Sequence, residues 1–88
     1  MLNRKYSSRF KKDLKKFSHK KEVLEEFDSI LKLLIAKEKL PTKYREHYLS
    51  GNYETFCECH VKPDILLIYQ KNDNHIYLYR IGSHSELF

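Results

Sequence analysis

Little in this chain could staple, tether or loosen a fold. Its only two cysteines, Cys57 and Cys59, are too few for a disulfide framework. Two glycines and two prolines leave no flexible linker and no low-complexity tract. Apolar runs such as Leu33–Ala36 are far too short to span a bilayer. The opening Met1-Leu2-Asn3-Arg4 has no apolar stretch behind it, so no secretory signal is expected. A soluble, reduced, cytoplasmic protein without a membrane partner follows as the expectation. At 88 residues there is room for one domain, residues 1–88. The chain contains 41% hydrophobic residues and includes seven Tyr and five Phe, enough to pack a small core.

Acidic charge is scarce at one end. Residues 1–21 hold nine Lys and Arg and a single acid, Asp13. Residues 1–45 carry 14 cations against 6 anions, whereas residues 46–88 carry 3 against 6. Such a basic half attracts a polyanion over roughly a Debye length, about 8–10 Å. Nucleic acid, an anionic membrane surface or an acidic protein partner would all fit, and nucleic acid or an acidic partner is favoured over a merely soluble lysine-rich surface.

The hydrophobic period changes midway. Leu2–Tyr6 reads as a strand, after which Ser7 or Ser8 can cap a helix. Phe10, Leu14 and Phe17 make one helical stripe, with Arg9, Lys11, Lys12, Lys15 and Lys16 on the other faces. A second helix follows, with Val23, Phe27, Ile30, Leu31 and Leu34 on one face, and Pro41 closes this region. Beyond residue 45 the period is two. Strands are expected at His47–Ser50, Tyr53–Val61, Ile65–Gln70 and Ile76–Ile81, with turns at Gly51-Asn52, Pro63-Asp64 and Lys71–Asn74 and a short tail over Gly82–Phe88. The expected fold is α+β: an N-terminal strand and two helices packed on a mostly antiparallel sheet of four to five strands.

No helical metal-ligand pair, phosphate loop or nucleophile elbow is present. Cys57-x-Cys59-His60 suggests zinc, but on a strand the two cysteines point to one face and His60 to the other. No second ligand cluster completes a site, so neither a metal nor a cofactor is expected. His47, His60, Asp64, Arg80, His84 and Phe88 lie at strand ends that antiparallel order can gather at one edge. Imidazole and carboxylate can move protons near neutrality. A guanidinium can steady a phosphorane, and an aromatic ring can stack on a base. Each residue also has a plain structural reading, as a strand end, a turn residue or a docked terminus.

Those same residues carry a resemblance. Leu40–Gly51, Glu58–Tyr69 and Arg80–Phe88 are similar to the three sequence blocks of the YafQ-like branch of the RelE/ParE toxin superfamily. The last block has the form R-x-G-[ST]-H-x-x-L-F. The first departs from the branch pattern only in the spacing of its proline. The resemblance covers essentially the whole chain and implies a RelE-like fold. It implies the toxin of a type II toxin–antitoxin pair, a metal-independent endoribonuclease that cuts mRNA, associated with the ribosome, by 2′-OH attack giving a 2′,3′-cyclic phosphate. It places His47, His60, Asp64, Arg80 and His84 in catalysis and Phe88 on the substrate, and Lys62, Lys11 and Lys15 are expected as further substrate-binding cations. It implies a cognate antitoxin with an acidic segment as partner. Cys57 and Glu54 stand where relatives often carry a cation, and a cation lost beside phosphate would weaken activity. The alternatives are a weak or inactive RNA- or antitoxin-binding module, or a ParE-type toxin directed at gyrase, which lacks the histidine set.

Overall fold

Alternation along Cys57–Ile81 sorts the sheet into a face that needs helices and a face that does not. The computed structural model describes residues 2–51 and 55–88. Strands β1 (Asn3–Tyr6), β2 (His47–Tyr48), β3 (Cys57–Lys62), β4 (Ile65–Lys71) and β5 (His75–Gly82) form one sheet, ordered β1-β5-β4-β3-β2. Only β1 runs parallel, alongside β5, while the other three pairings are antiparallel. The α+β expectation therefore holds, with the N-terminal strand as an edge.

Helices α1 (Ser8–Lys15) and α2 (Lys21–Ile35) cover one face. Phe10, Phe17, Val23, Phe27, Ile30, Leu31 and Leu34 bury there against Cys57, Cys59, Val61, Leu67, Tyr69, Ile76, Leu78 and Ile81. Leu14 is only partly buried; its neighbour Asp13 goes inside instead. Ser7 makes the cap of α1, its Oγ accepting from Phe10 N at 2.9 Å.

The chain leaves β1 at Tyr6, and α1 then takes over the edge of β5 that β1 no longer pairs. Ser7 N donates to Leu78 O (3.0 Å), Ser7 Oγ donates to Tyr79 O (2.6 Å), and Ile81 N donates to Asp13 Oδ2 (3.2 Å). These bonds satisfy edge groups that would otherwise be stranded.

Several boundaries differ from the sequence reading. Pro41 does not end α2. Lys37 does so at φ 60°, with Lys37 N bonded to Leu34 O and Glu38 N to Leu33 O, the Schellman pattern with lysine where glycine is usual. Strand β2 is two residues, not four, and is preceded by a 3₁₀ turn at Thr42–Tyr44. The expected tail forms a short helix, α3 (His84–Leu87), because Ser83 and Glu86 make a reciprocal capping box. Gly82 permits the approach of α3 to β5, since a Cβ there would sit 3.2 Å from Glu86 Oε1 and 3.3 Å from Leu87 Cδ2. Tyr53 and Glu54, at the start of the predicted Tyr53–Val61 strand, lie outside the described residues, and the observed strand begins only at Cys57, after Thr55 and Phe56.

Candidate active site

Register builds the site. His47 pairs with Glu58, Glu58 with Ile68 and Ile68 with Arg80, so these four form one row across β2, β3, β4 and β5. The adjacent row is His60, Leu66 and Gly82. Both rows lie on the sheet face turned away from the helices, because their strand neighbours Cys57, Cys59, Leu67 and Ile81 are in the core. With strands about 4.8 Å apart, His60 and Gly82 are about 10 Å apart at their Cα atoms. From Gly82 the chain passes directly to His84. Asp64 sits exposed in the turn joining β3 to β4, at the same end of the sheet.

His47 is held on both nitrogens. Nδ1 meets Arg45 O at 2.9 Å, and Nε2 lies 3.3 Å from Glu58 Oε1. Arg45 has φ 51°, a left-handed conformation costly for a residue with a Cβ, and it aims that carbonyl. Glu46, the next residue, accepts from Tyr69 OH and from Lys71 Nζ (3.0 Å), which fixes the backbone leading into His47. Burial, with Cys59, Glu46 and Cys57 adding to it, pushes the Tyr69 phenol pKa well above its usual range, so it remains a donor.

His60 Nδ1 is 3.4 Å from Pro63 O, and the ring opens onto a cleft of about 350 Å³ lined also by Lys43, Tyr44, Arg45 and Lys62. Lys62 turns toward α2, 3.9 Å from Glu26. Glu26 also accepts from Tyr44 OH at 2.7 Å. Burial first, then that carboxylate, pushes the Tyr44 pKa to about 12.

Arg80 is not a loose cation. Its Nε and Nη2 donate to Asp13 Oδ2 (2.6 Å) and Oδ1 (3.1 Å). The hydrogen bonds to Asp13 raise its pKa further, so it stays charged. A guanidinium has five N–H donors, so three remain beyond the two that Asp13 takes. Arg80 lines a second cleft, of about 290 Å³, with Arg9, Ile68, Tyr79, Glu86, Leu87 and Phe88. Phe88 is exposed, and its ring lies 5.1 Å from that of His84. Lys11 and Lys15 are exposed on α1 and line neither cleft; Arg9 is the α1 cation that does. Glu58 and Asp13, the two buried acids that orient His47 and Arg80, were missed as site residues in the sequence. Both sit in patterns that read as an ordinary strand and an ordinary charged helix face.

Residues 2–88 match the family model for the bacterial toxin YafQ of type II toxin–antitoxin systems. The chain belongs to the YafQ family. It is 32% identical over 84 residues to the mRNA interferase toxin YafQ of Escherichia coli K12, covering 94% of this chain and 91% of that protein. The crystal structure of YafQ from E. coli BL21(DE3) superposes with a TM-score of 0.91 at 29% identity, covering 100% and 99% of the two chains. A metal-bound toxin from Helicobacter pylori superposes with a TM-score of 0.91 at 41% identity over the full length of both. E. coli YafQ has also been crystallised with the antitoxin DinJ, and that toxin chain superposes with a TM-score of 0.89 at 30% identity, covering 100% and 99% of the two chains.

The H. pylori toxin holds a metal. Among the described residues, no three His, Cys, Asp or Glu side chains converge as a metal site would require. Cys57 and Cys59 are buried in the core, on the face opposite His60. Burial, the largest influence, pushes both thiols up, Cys59 to about 12, so neither offers a thiolate. The same placement corrects one expectation. Cys57 points away from the site rows, so it does not stand in for a cation beside the phosphate.

Proposed function

We propose that this YafQ-family toxin is an endoribonuclease that cuts mRNA at the ribosome through side chains alone. The ribose 2′-oxygen attacks its own 3′-phosphorus, and the bond to the 5′-oxygen breaks. The products are a 2′,3′-cyclic phosphate and a 5′-OH end. His84 gives a proton to the departing 5′-oxygen, while Asp64 or His60 takes the 2′-OH proton. Arg80, oriented by Asp13, places its three remaining donors on the phosphorane. His47, braced by Glu58, assists, and Phe88 stacks on a base. Lys62, Lys11 and Lys15 add attraction for the RNA backbone.

The observation that carries this reading is the pair of adjacent sheet rows. They put His47, Arg80 and His60 on one face, with Asp64 and His84 at its end. The partner is a cognate antitoxin whose acidic, extended segment folds over the basic helices and the site edge. Among the described residues no helix is long and apolar enough to cross a membrane, and the proposed working compartment is the cytoplasm, where the mRNA is.

The test is cleavage of mRNA in reconstituted translation, with and without ribosomes, comparing the native chain with His84→Ala. Cyclic-phosphate ends that disappear in His84→Ala are expected, and their dependence on ribosomes tells whether the mRNA is cut there or free in solution. A well-folded native chain that makes no cuts refutes the reading and leaves a binding module.

A further inference from the structure

Antiparallel pairing of β4 and β5 shifts register between Ile68 and Tyr69. Ile68 pairs with Arg80, and Tyr69 with Leu78, which leaves Tyr79 as the extra residue of a bulge. The bulge turns Tyr79 and Arg80 to the same side, and both line the cleft that ends at Phe88. Two residues back, Tyr77 continues along that face, its ring 6.0 Å from that of Tyr79. Phe56 supports Tyr79 from the flank at 5.0 Å. Tyr77 and Tyr79 are partly exposed, so neither ring is consumed by the core.

Cations border this aromatic line. Arg9 and Arg80 stand at its cleft end. Lys5 of β1 is the register partner of Tyr77 at its far end. The one carboxylate in the cleft, Glu86, is engaged elsewhere: Oε1 accepts from Ser83 N (2.9 Å) and Ser83 Oγ (3.0 Å), and Oε2 lies 3.5 Å from Lys16. Rings spaced by 6.0 Å exceed the 3.4 Å of stacked bases, so they suit splayed bases, one to a ring.

We infer that Phe88, Tyr79 and Tyr77, edged by Arg9 and Lys5, form a track for single-stranded RNA that holds the nucleotides flanking the cut. The inference rests on the nuclease reading and deepens it. Positive charge holds the backbone, and the rings accept any base face, so the track contributes length-dependent affinity more than base identity.

The experiment uses an oligoribonucleotide blocked by a 2′-O-methyl group at the cut position and carrying 4-thiouridine beside it. It is offered free and seated on ribosomes, and cleavage of the unblocked RNA is followed in parallel. Photocrosslinks at Tyr79 or Tyr77 of the native chain are expected. Tyr77→Leu and Tyr79→Leu should each weaken binding by about fivefold to a hundredfold, whereas Tyr79→Phe should bind as the native chain does. Absence of crosslinks, with leucine variants binding normally while the native chain still cuts, overturns the track and leaves the nuclease standing. No cutting by the native chain overturns both. If a leucine variant fails to fold, the native crosslink decides.

Discussion

Asp13 of α1 holds Arg80 of β5 with both carboxylate oxygens, across 67 residues of sequence. The same carboxylate accepts from Ile81 N, so it grips backbone and guanidinium together. Both side chains are largely withdrawn from water, which makes the pair costly to break from one side alone. Asp13→Ala is expected to cost about 3–5 kcal/mol in urea unfolding. Arg80→Lys keeps the charge but not the fork, so it should lose cleavage more than stability.

The His47–Glu58 pair predicts a separable effect. Glu58→Gln removes the charge that braces His47 but keeps its shape. Cleavage should fall about tenfold or more, against the 10²–10⁴ range of a lost proton-transfer group. The melting temperature should move by only a few degrees. Equal activity in Glu58→Gln would show that His47 needs no such brace.

Lys37 sits at φ 60°, where a side chain crowds its own backbone. Lys37→Gly removes that crowding at an exposed position outside the site rows. A gain of about 0.5–1 kcal/mol is expected, seen as a melting temperature a few degrees higher with cleavage unchanged.

Glu86 is held below the usual carboxylate range, first by the backbone N–H of Ser83 and then by its hydroxyl and Lys16. A depressed pKa means the folded state favours the charged form. The stability it gives α3 is complete above the ordinary carboxylate pKa of 4.5 and is lost as pH falls through the lower folded value. Phe88 ring signals in NMR should therefore loosen below about pH 4, before the core residue Phe10 responds. Simultaneous loss of both would place the acid transition elsewhere.

Much of this was legible in the residues. Period-two runs in the second half and two apolar helical stripes in the first are enough for the α+β order, because hydrophobic spacing is local. His47, His60, Asp64, Arg80, His84 and Phe88 could be singled out by type and position at strand ends. Asp13 could not, since a lone acid among lysines looks solvated until β5 arrives beside it. The α3 helix was missed because four residues leave no period to read, although Ser83 and Glu86 stood at capping-box spacing. Pro41 drew attention from Lys37, whose left-handed backbone no side chain advertises. The bulge at Tyr79 depends on pairing with β4 and leaves no mark in the sequence alone.

The parallel pairing of β1 with β5 has a consequence for synthesis. The first strand made waits for the last one, and Asp13 can seat Arg80 only once β5 has emerged. Contacts of such separation form late and slowly. A nascent or truncated chain therefore carries its basic helices before the rows that gather His47, His60 and Arg80 are complete, and the proposed site forms only when the final strand is in place.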